Sequence, residues 1–116
     1  MPEEVSYDKQ AKLIHIRAWG IDTIEDWISS KEQVLQLHEK HGAVRLLFDA
    51  RKQDTAPSSL DILEFGIAWP HIIQTAILVG EKTRASLYFL ETVSVNRAKQ
   101  MRTFDDIEDA LNWLGD

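Results

Sequence analysis

The sequence contains no cysteine among its 116 residues. This excludes disulfide bonds, thiolate metal ligands and cysteine nucleophiles. Basic residues are also in the minority, because 13 Lys and Arg stand against 19 Asp and Glu and give a formal net charge of −6. An acidic chain without clustered Lys and Arg is poorly suited to the phosphates of nucleic acids or to an anionic membrane surface. We therefore expect neither as a partner.

Long hydrophobic runs are missing as well. No apolar stretch approaches the roughly 18–20 residues that cross a bilayer, and residues 1–12 lack the basic start and apolar centre of a secretory signal. We therefore expect no membrane span and a cytoplasmic location. The length is sufficient for one hydrophobic core but not for two, so residues 1–116 are expected to form a single domain.

The first half of the chain alternates between strand and helix patterns. Two short stretches of β-favouring residues around a turn at 8–12 predict an antiparallel hairpin. Thr23, with Asp26 three residues later, is typical of a capping box, and Gly42 is a natural end for the helix that follows. The apolar run 43–50 predicts a strand that helices cover on at least one face.

The second half repeats this alternation. A helix is expected to begin at Ser58 and to end before Pro70, and a further helix and strand are expected after the apolar run 75–80. A final helix follows, with Asp105 as its expected cap. The predicted order β-β-α-β-α-β-α-β-α indicates a single α/β domain with a mixed, mostly parallel sheet and right-handed crossovers.

This order of elements, together with four short segments, resembles the STAS-like domains of the SpoIIAA-like branch, with a distant likeness to CRAL-TRIO lipid-binding domains. The segments are GIDTIEDW (20–27), LLFDAR (46–51), TAILVG (75–80) and RTFDDIEDALNWLGD (102–116). The resemblance covers essentially the whole chain and implies a STAS-like fold. It is a likeness of pattern without a catalytic signature, so it implies less about function than about fold.

The resemblance draws attention to the start of the second helix. In the antagonist proteins that this chain resembles, a serine or threonine at that point is phosphorylated by a partner kinase, and the candidates here are Thr55, Ser58 and Ser59. Pro57 precedes Ser58 and the glycine of the family's local pattern is missing. The alternative is that Ser58 only caps the helix, with Asp61 completing a capping box, and we favour this alternative.

The resemblance also implies a protein-binding surface formed by the loop 49–59 and the second helix. The helix carries two apolar stripes, and one stripe is enough to pack it on a sheet. The first is formed by Leu60, Leu63 and Ile67 and the second by Ile62, Phe65 and Trp69. The surplus is expected either to pack under the next helix or to stay exposed for a protein partner or a second copy of the chain. The candidate contact residues are Asp49, Arg51, Asp54, Ile62, Phe65 and Trp69.

Other chemistry has little support, and we expect a noncatalytic protein without a metal or cofactor. His38 and His41 have the spacing of a shared metal site but lack an evident third ligand, and His15 stands alone. Residues 80–83, Gly-Glu-Lys-Thr, lack the upstream glycine of a phosphate-binding loop. The mixed charges at the expected strand ends, including Asp49, Arg51 and Lys52, have two interpretations, a site for a small anion or a self-paired surface, and we favour the second.

A second class of function is a small-molecule or lipid-binding domain with an apolar pocket between sheet and helices. Three side chains discriminate between the two classes. An interaction module should expose Ile62, Phe65 or Trp69 over a filled interior, whereas a ligand-binding domain should bury them around an apolar cavity.

Overall fold

A computed structural model describes residues 2–115 and contains the nine elements in the predicted order. Their bounds are β1 (Glu3–Asp8), β2 (Leu13–Ile21), α1 (Ile24–His41), β3 (Arg45–Thr55), α2 (Ser59–Ala68), β4 (Gln74–Leu78), α3 (Arg84–Val95), β5 (Met101–Phe104) and α4 (Ile107–Leu114). Within the described residues, no helix has the length and apolar character needed to cross a membrane.

The five strands form one sheet in the order β1-β2-β3-β4-β5. As predicted, β1 and β2 are antiparallel and the other three pairs are parallel. The carboxylate of Asp8 closes the hairpin turn by accepting hydrogen bonds from the backbone N–H groups of Gln10 (3.0 Å) and Ala11 (3.1 Å). The mixed, mostly parallel α/β fold is therefore confirmed.

The local signals at both ends of α1 are confirmed. The backbone N–H of Asp26 donates to Thr23 Oγ1 at 3.3 Å, and the N–H of Thr23 donates to Asp26 Oδ2 at 3.0 Å. Gly42 ends the helix in the left-handed conformation, with φ of 71°. Because only glycine adopts this conformation without strain, the sequence could indicate the end of the helix directly.

Two local predictions are wrong. Much of the expected loop 49–59 is strand, because β3 continues to Thr55 and pairs with β2 as far as its end, through partners such as Trp19↔Lys52 and Ile21↔Thr55. The cap of α4 is Asp106, whose Oδ1 accepts from the N–H of Glu108 at 2.8 Å, and not Asp105. Strand pairing joins residues far apart in the chain, so local composition did not show it.

The two faces of the sheet are covered unequally. Since the strands follow one another in sequence and right-handed crossovers place each connecting helix on the same side, α1, α2 and α3 all pack on one face. Among residues 2–115, the only helix on the opposite face is the eight-residue α4, which packs on β4 and β5 and reaches β3. Much of the β1–β2 end of that face has no helix over it.

Candidate functional site

The start of α2 is formed by the predicted serine pair. Ser58 is the N-cap, and its Oγ accepts a hydrogen bond from the backbone N–H of Asp61 at 3.2 Å. The capping function is confirmed, although between these two described residues only one of the two bonds of a capping box is present. Ser58, Ser59 and the nearby Thr55 are all exposed. Phosphorylation of any of the three stays a prediction.

The charged candidates before α2 pair with their neighbours. Arg51 donates to both carboxylate oxygens of Asp49, from Nε at 2.9 Å and from a terminal nitrogen at 2.7 Å. Asp54 accepts from Lys82 Nζ at 2.9 Å. Partial burial opposes the ionisation of Asp49, but the hydrogen bonds and charge of Arg51 outweigh it and hold the pKa of Asp49 below its usual value. The expected self-pairing is confirmed for these four side chains but not for Lys52, which forms no ion pair within residues 2–115.

The apolar candidates on α2 are buried, so of the two outcomes expected for them packing is found, and they are not available as contacts for a partner. Ile62, Phe65 and Trp69 are 1%, 9% and 4% exposed. The ring of Phe65 lies 5.2 Å from that of Trp27 on α1 and 5.4 Å from that of Trp69, between centroids. This side of α2 packs against both α1 and the sheet, and the buried indole N–H of Trp69 donates to Thr75 Oγ1 at 3.1 Å.

The other apolar stripe of α2 is the exposed one. Leu60 is 64% exposed and Ile67 is 46% exposed. They are seven residues apart and therefore lie on the same side of the helix, with the half-buried Leu63 between them. The sequence showed that α2 has two stripes but not which one faces the sheet, because that choice depends on the neighbouring elements.

Beneath the buried stripe lies a small cavity. It has a volume of about 30 Å³ and is lined mainly by aromatic and aliphatic side chains from the sheet, α1, α2 and α3, with four polar residues, Glu3, Ser30, Lys31 and Thr75. A cavity needs roughly 10–15 Å³ for one water molecule. The interior therefore has room for one or two water-sized groups and not for a lipid chain.

The sequence did not predict a second feature, a groove on the uncovered β1–β2 end of the sheet. The groove has a volume of about 650 Å³. We call it the open-face groove, and its lining residues are Glu4, His15, Arg17, Ala18, Trp19, Asp49, Arg51, Lys52 and Ile107. The sequence does contain a pattern that indicates a polar face on this strand. In LIHIRAW (13–19), His15 and Arg17 alternate with buried aliphatic residues.

His15 lies in this groove with an unsatisfied ring nitrogen. Its Nε2 is buried and has no hydrogen-bond partner among residues 2–115. Burial lowers the pKa of His15, with Asp49 opposing this effect and Arg17 and Arg51 adding to it. The imidazole is therefore expected to be neutral at pH 7, when Nε2 can donate or accept a hydrogen bond according to its tautomer.

The histidine pair of α1 is engaged elsewhere. A ring nitrogen of His38 lies 2.8 Å from the carbonyl oxygen of Ala43, and the ring of His41 stacks on Tyr7 with 4.4 Å between centroids. Across the described part of the chain, no group of three or more His, Asp or Glu side chains is placed to hold a metal ion. The pair thus contributes to the end of α1.

Comparison with known proteins agrees with the fold described above. A family model described as SpoIIAA-like matches residues 13–115. The chain belongs to the SpoIIAA-like family. The SpoIIAA-like fold is also that of an uncharacterised protein of the DUF3478 family from Shewanella loihica PV-4, whose crystal structure superposes with a TM-score of 0.65. The two sequences are 19% identical, and the alignment covers 97% of this chain and 93% of the other.

The family assignment confirms the resemblance and the fold. At 19% identity the Shewanella structure supports the fold alone, and that protein is itself uncharacterised. No curated protein matches the chain. The support for a function of this SpoIIAA-like domain therefore comes from its own surface residues.

Proposed function

We propose that this protein is a noncatalytic protein-interaction module that binds a partner through the exposed side of α2 and the adjoining end of β3. The observation that supports this most directly is the exposure of Leu60 and Ile67 on one line of α2. Large apolar side chains exposed together on a helix are typical of contact surfaces. The proposal keeps the predicted helix but replaces Ile62, Phe65 and Trp69 as the side chains in contact.

The start of α2 also offers a means of regulation. A phosphate on Thr55, Ser58 or Ser59 would lie at the exposed edge of this surface, close to the free N–H groups of the first helical turn. It would add nearly two negative charges where a partner binds. Phosphorylation at this point would therefore strengthen or weaken binding according to the charge of the partner.

The alternative function, a lipid-binding or small-molecule pocket between sheet and helices, is less well supported. The cavity there is about 30 Å³, whereas pockets for drug-sized ligands are roughly 300–1,000 Å³. The burial of Ile62, Phe65 and Trp69 agrees with a pocket, but most of the space is filled by those side chains themselves. A lipid would require α2 to move away from the sheet.

Site-specific photo-crosslinking tests the proposal. A benzophenone amino acid in place of the exposed Glu64, which lies between Leu60 and Ile67, should capture a defined partner in the native cells. The Leu60→Glu/Ile67→Glu variant should reduce that product by about tenfold or more, because two charges would enter an apolar contact. Val95→Glu, on α3 at a residue that is 50% exposed, is the matched control and should leave the yield unchanged.

Intact-mass and tandem mass spectrometry of the protein from the same cells would locate any phosphate on Thr55, Ser58 or Ser59. Circular dichroism of each variant establishes that the fold is retained. A cross-linked product that persists in the Leu60→Glu/Ile67→Glu variant, or one that Val95→Glu removes equally, would contradict the assignment of this surface.

A further inference from the structure

The open-face groove has the size and lining of a ligand site and lies on the opposite side of the sheet from α2. Its volume of about 650 Å³ falls within the roughly 300–1,000 Å³ of small-molecule sites. Its floor is the sheet at His15 and Arg17, and one wall is formed by Ile107 at the start of α4. The groove exists because α4 is too short to cover the β1–β2 end of the sheet.

The groove is locally basic in an acidic protein. Three basic and two acidic side chains line it, although the whole chain carries a net charge of −6. Asp49 is occupied by Arg51, which binds it through two hydrogen bonds. Arg17 and Lys52 form no ion pair with a carboxylate anywhere in residues 2–115. Two cationic groups are thus available to an anion from outside.

Apolar and polar groups flank these cations. Trp19 is 44% exposed and Ile107 is 38% exposed, so the groove offers an aromatic and an aliphatic surface. The unsatisfied Nε2 of His15 lies in the floor. The lining therefore favours a molecule with an apolar body and an anionic end.

We propose that the open-face groove binds a small organic carboxylate with an aromatic body, held by Arg17 and Lys52 at its anionic end and by Trp19 and Ile107 along its body. A carboxylate fits better than a doubly charged phosphate, because Glu4 and Asp49 place negative charge in the same groove. The site is independent of the α2 surface, so it adds to the proposed function and does not rest on it.

The test uses phenylacetate and indole-3-acetate as probes in NMR titrations of the full chain. Both are expected to shift the indole N–H signal of Trp19 and the ring signals of His15 in a saturable way. The indole signals of Trp27, Trp69 and Trp113, which lie outside the groove, should stay fixed. Phenylacetamide, which has the same ring without the charge, should bind at least about tenfold more weakly.

Substitutions of single residues test whether phenylacetate binds in the groove. Arg17→Gln and Lys52→Gln should each weaken phenylacetate binding about fivefold to tenfold, as expected for loss of a charged hydrogen-bond donor. Lys9→Gln, in the exposed hairpin turn, should leave the affinity unchanged. Absence of saturation at about 10 mM probe, equal effects of all three substitutions, or equal binding of phenylacetamide would each overturn the proposal.

Discussion

At the scale of single residues, the most unusual group is the buried carboxyl of Asp22. It is 2% exposed, and its Oδ2 accepts a hydrogen bond from the indole N–H of Trp27 at 2.9 Å. Burial is the main cause that raises the pKa of Asp22 to about 9, and the neighbouring carboxyl of Glu3 adds to it. Glu3 is held in turn by the hydroxyl of Ser30. The two acids thus tie the start of β1 to α1.

This arrangement predicts how stability depends on pH. Asp22 keeps its proton in the folded state until about pH 9, whereas the unfolded chain releases it near its usual pKa of 3.8. The folded state therefore binds more protons between these values, and the free energy of unfolding should fall as pH rises through this window. Asp22→Asn should flatten the decline, because the amide carries no proton to lose.

Urea unfolding at about pH 5, 7 and 9 measures this dependence. Asp109→Asn, at an exposed position of α4, is the matched control and should retain the slope of the natural protein. Equal slopes in the Asp22→Asn and Asp109→Asn variants would show that Asp22 does not hold its proton in the folded state.

At the scale of elements, α2 is fixed by a close contact with α3. A Cβ atom added at Gly66 would lie 2.7 Å from Val93 Cγ1 and 3.3 Å from Leu90 Cδ1. The last turn of α2 is also held by Lys99, whose Nζ donates to the carbonyl oxygen of Gly66 at 2.8 Å. Because Gly66 has no side chain, α2 can lie close to α3. In this position Ile62 and Phe65 face the core, while Leu60 faces solvent.

Gly66→Ala should accordingly destabilise the protein. Alanine is the better helix former by about 1 kcal/mol, but overpacking costs about 1–3 kcal/mol, so a net loss of up to about 2 kcal/mol is expected. In a Val93→Ala background the 2.7 Å contact with Cγ1 is removed, while the contacts with Val93 Cβ at 3.2 Å and Leu90 Cδ1 at 3.3 Å remain, so the same change should cost clearly less. A double-mutant cycle from urea unfolding measures the coupling; no coupling would mean that α2 and α3 are not in close contact at Gly66.

At the scale of the whole molecule, one face of the sheet is covered by three helices and the other by α4, so the core on the second face depends on α4. Its buried residues Ala110 and Leu114 pack on Leu47, Ala76 and Leu78, while the larger cluster lies on the other face. The two clusters share the same strands, since β3 and β4 contribute alternate side chains to each face. We therefore expect both faces to unfold together.

Leu114→Ala should lower the free energy of unfolding by about 2–4 kcal/mol, because it leaves a cavity under α4. Asn112→Ala, at an exposed position of the same helix, should change it by less than about 0.5 kcal/mol. Tryptophan fluorescence and far-ultraviolet circular dichroism should report one coincident transition in both variants. Separate transitions would show that α4 unfolds independently of the rest.

Much of the fold could be predicted because its signals are local. Thr23 with Asp26, Gly42 and Ser58 mark helix ends through bonds to residues at most a few positions away. The candidate site was predicted less well. Both stripes of α2 were visible, but the exposed one was assigned wrongly, and His15 was noted without its neighbours in the groove. Both errors concern which distant elements lie against a given side chain.

The sequence by itself determined the kind and order of the elements, the N-terminal caps of α1 and α2, and a mostly parallel sheet. The spacing of apolar residues and the capping residues could be read directly, because they depend on positions only a few residues apart. Only the tertiary structure decided which side of α2 is exposed, how far β3 extends, and that the β1–β2 end of one face is open. Those features depend on the lengths and positions of elements distant in the chain, such as α4 over the sheet and Val93 against Gly66.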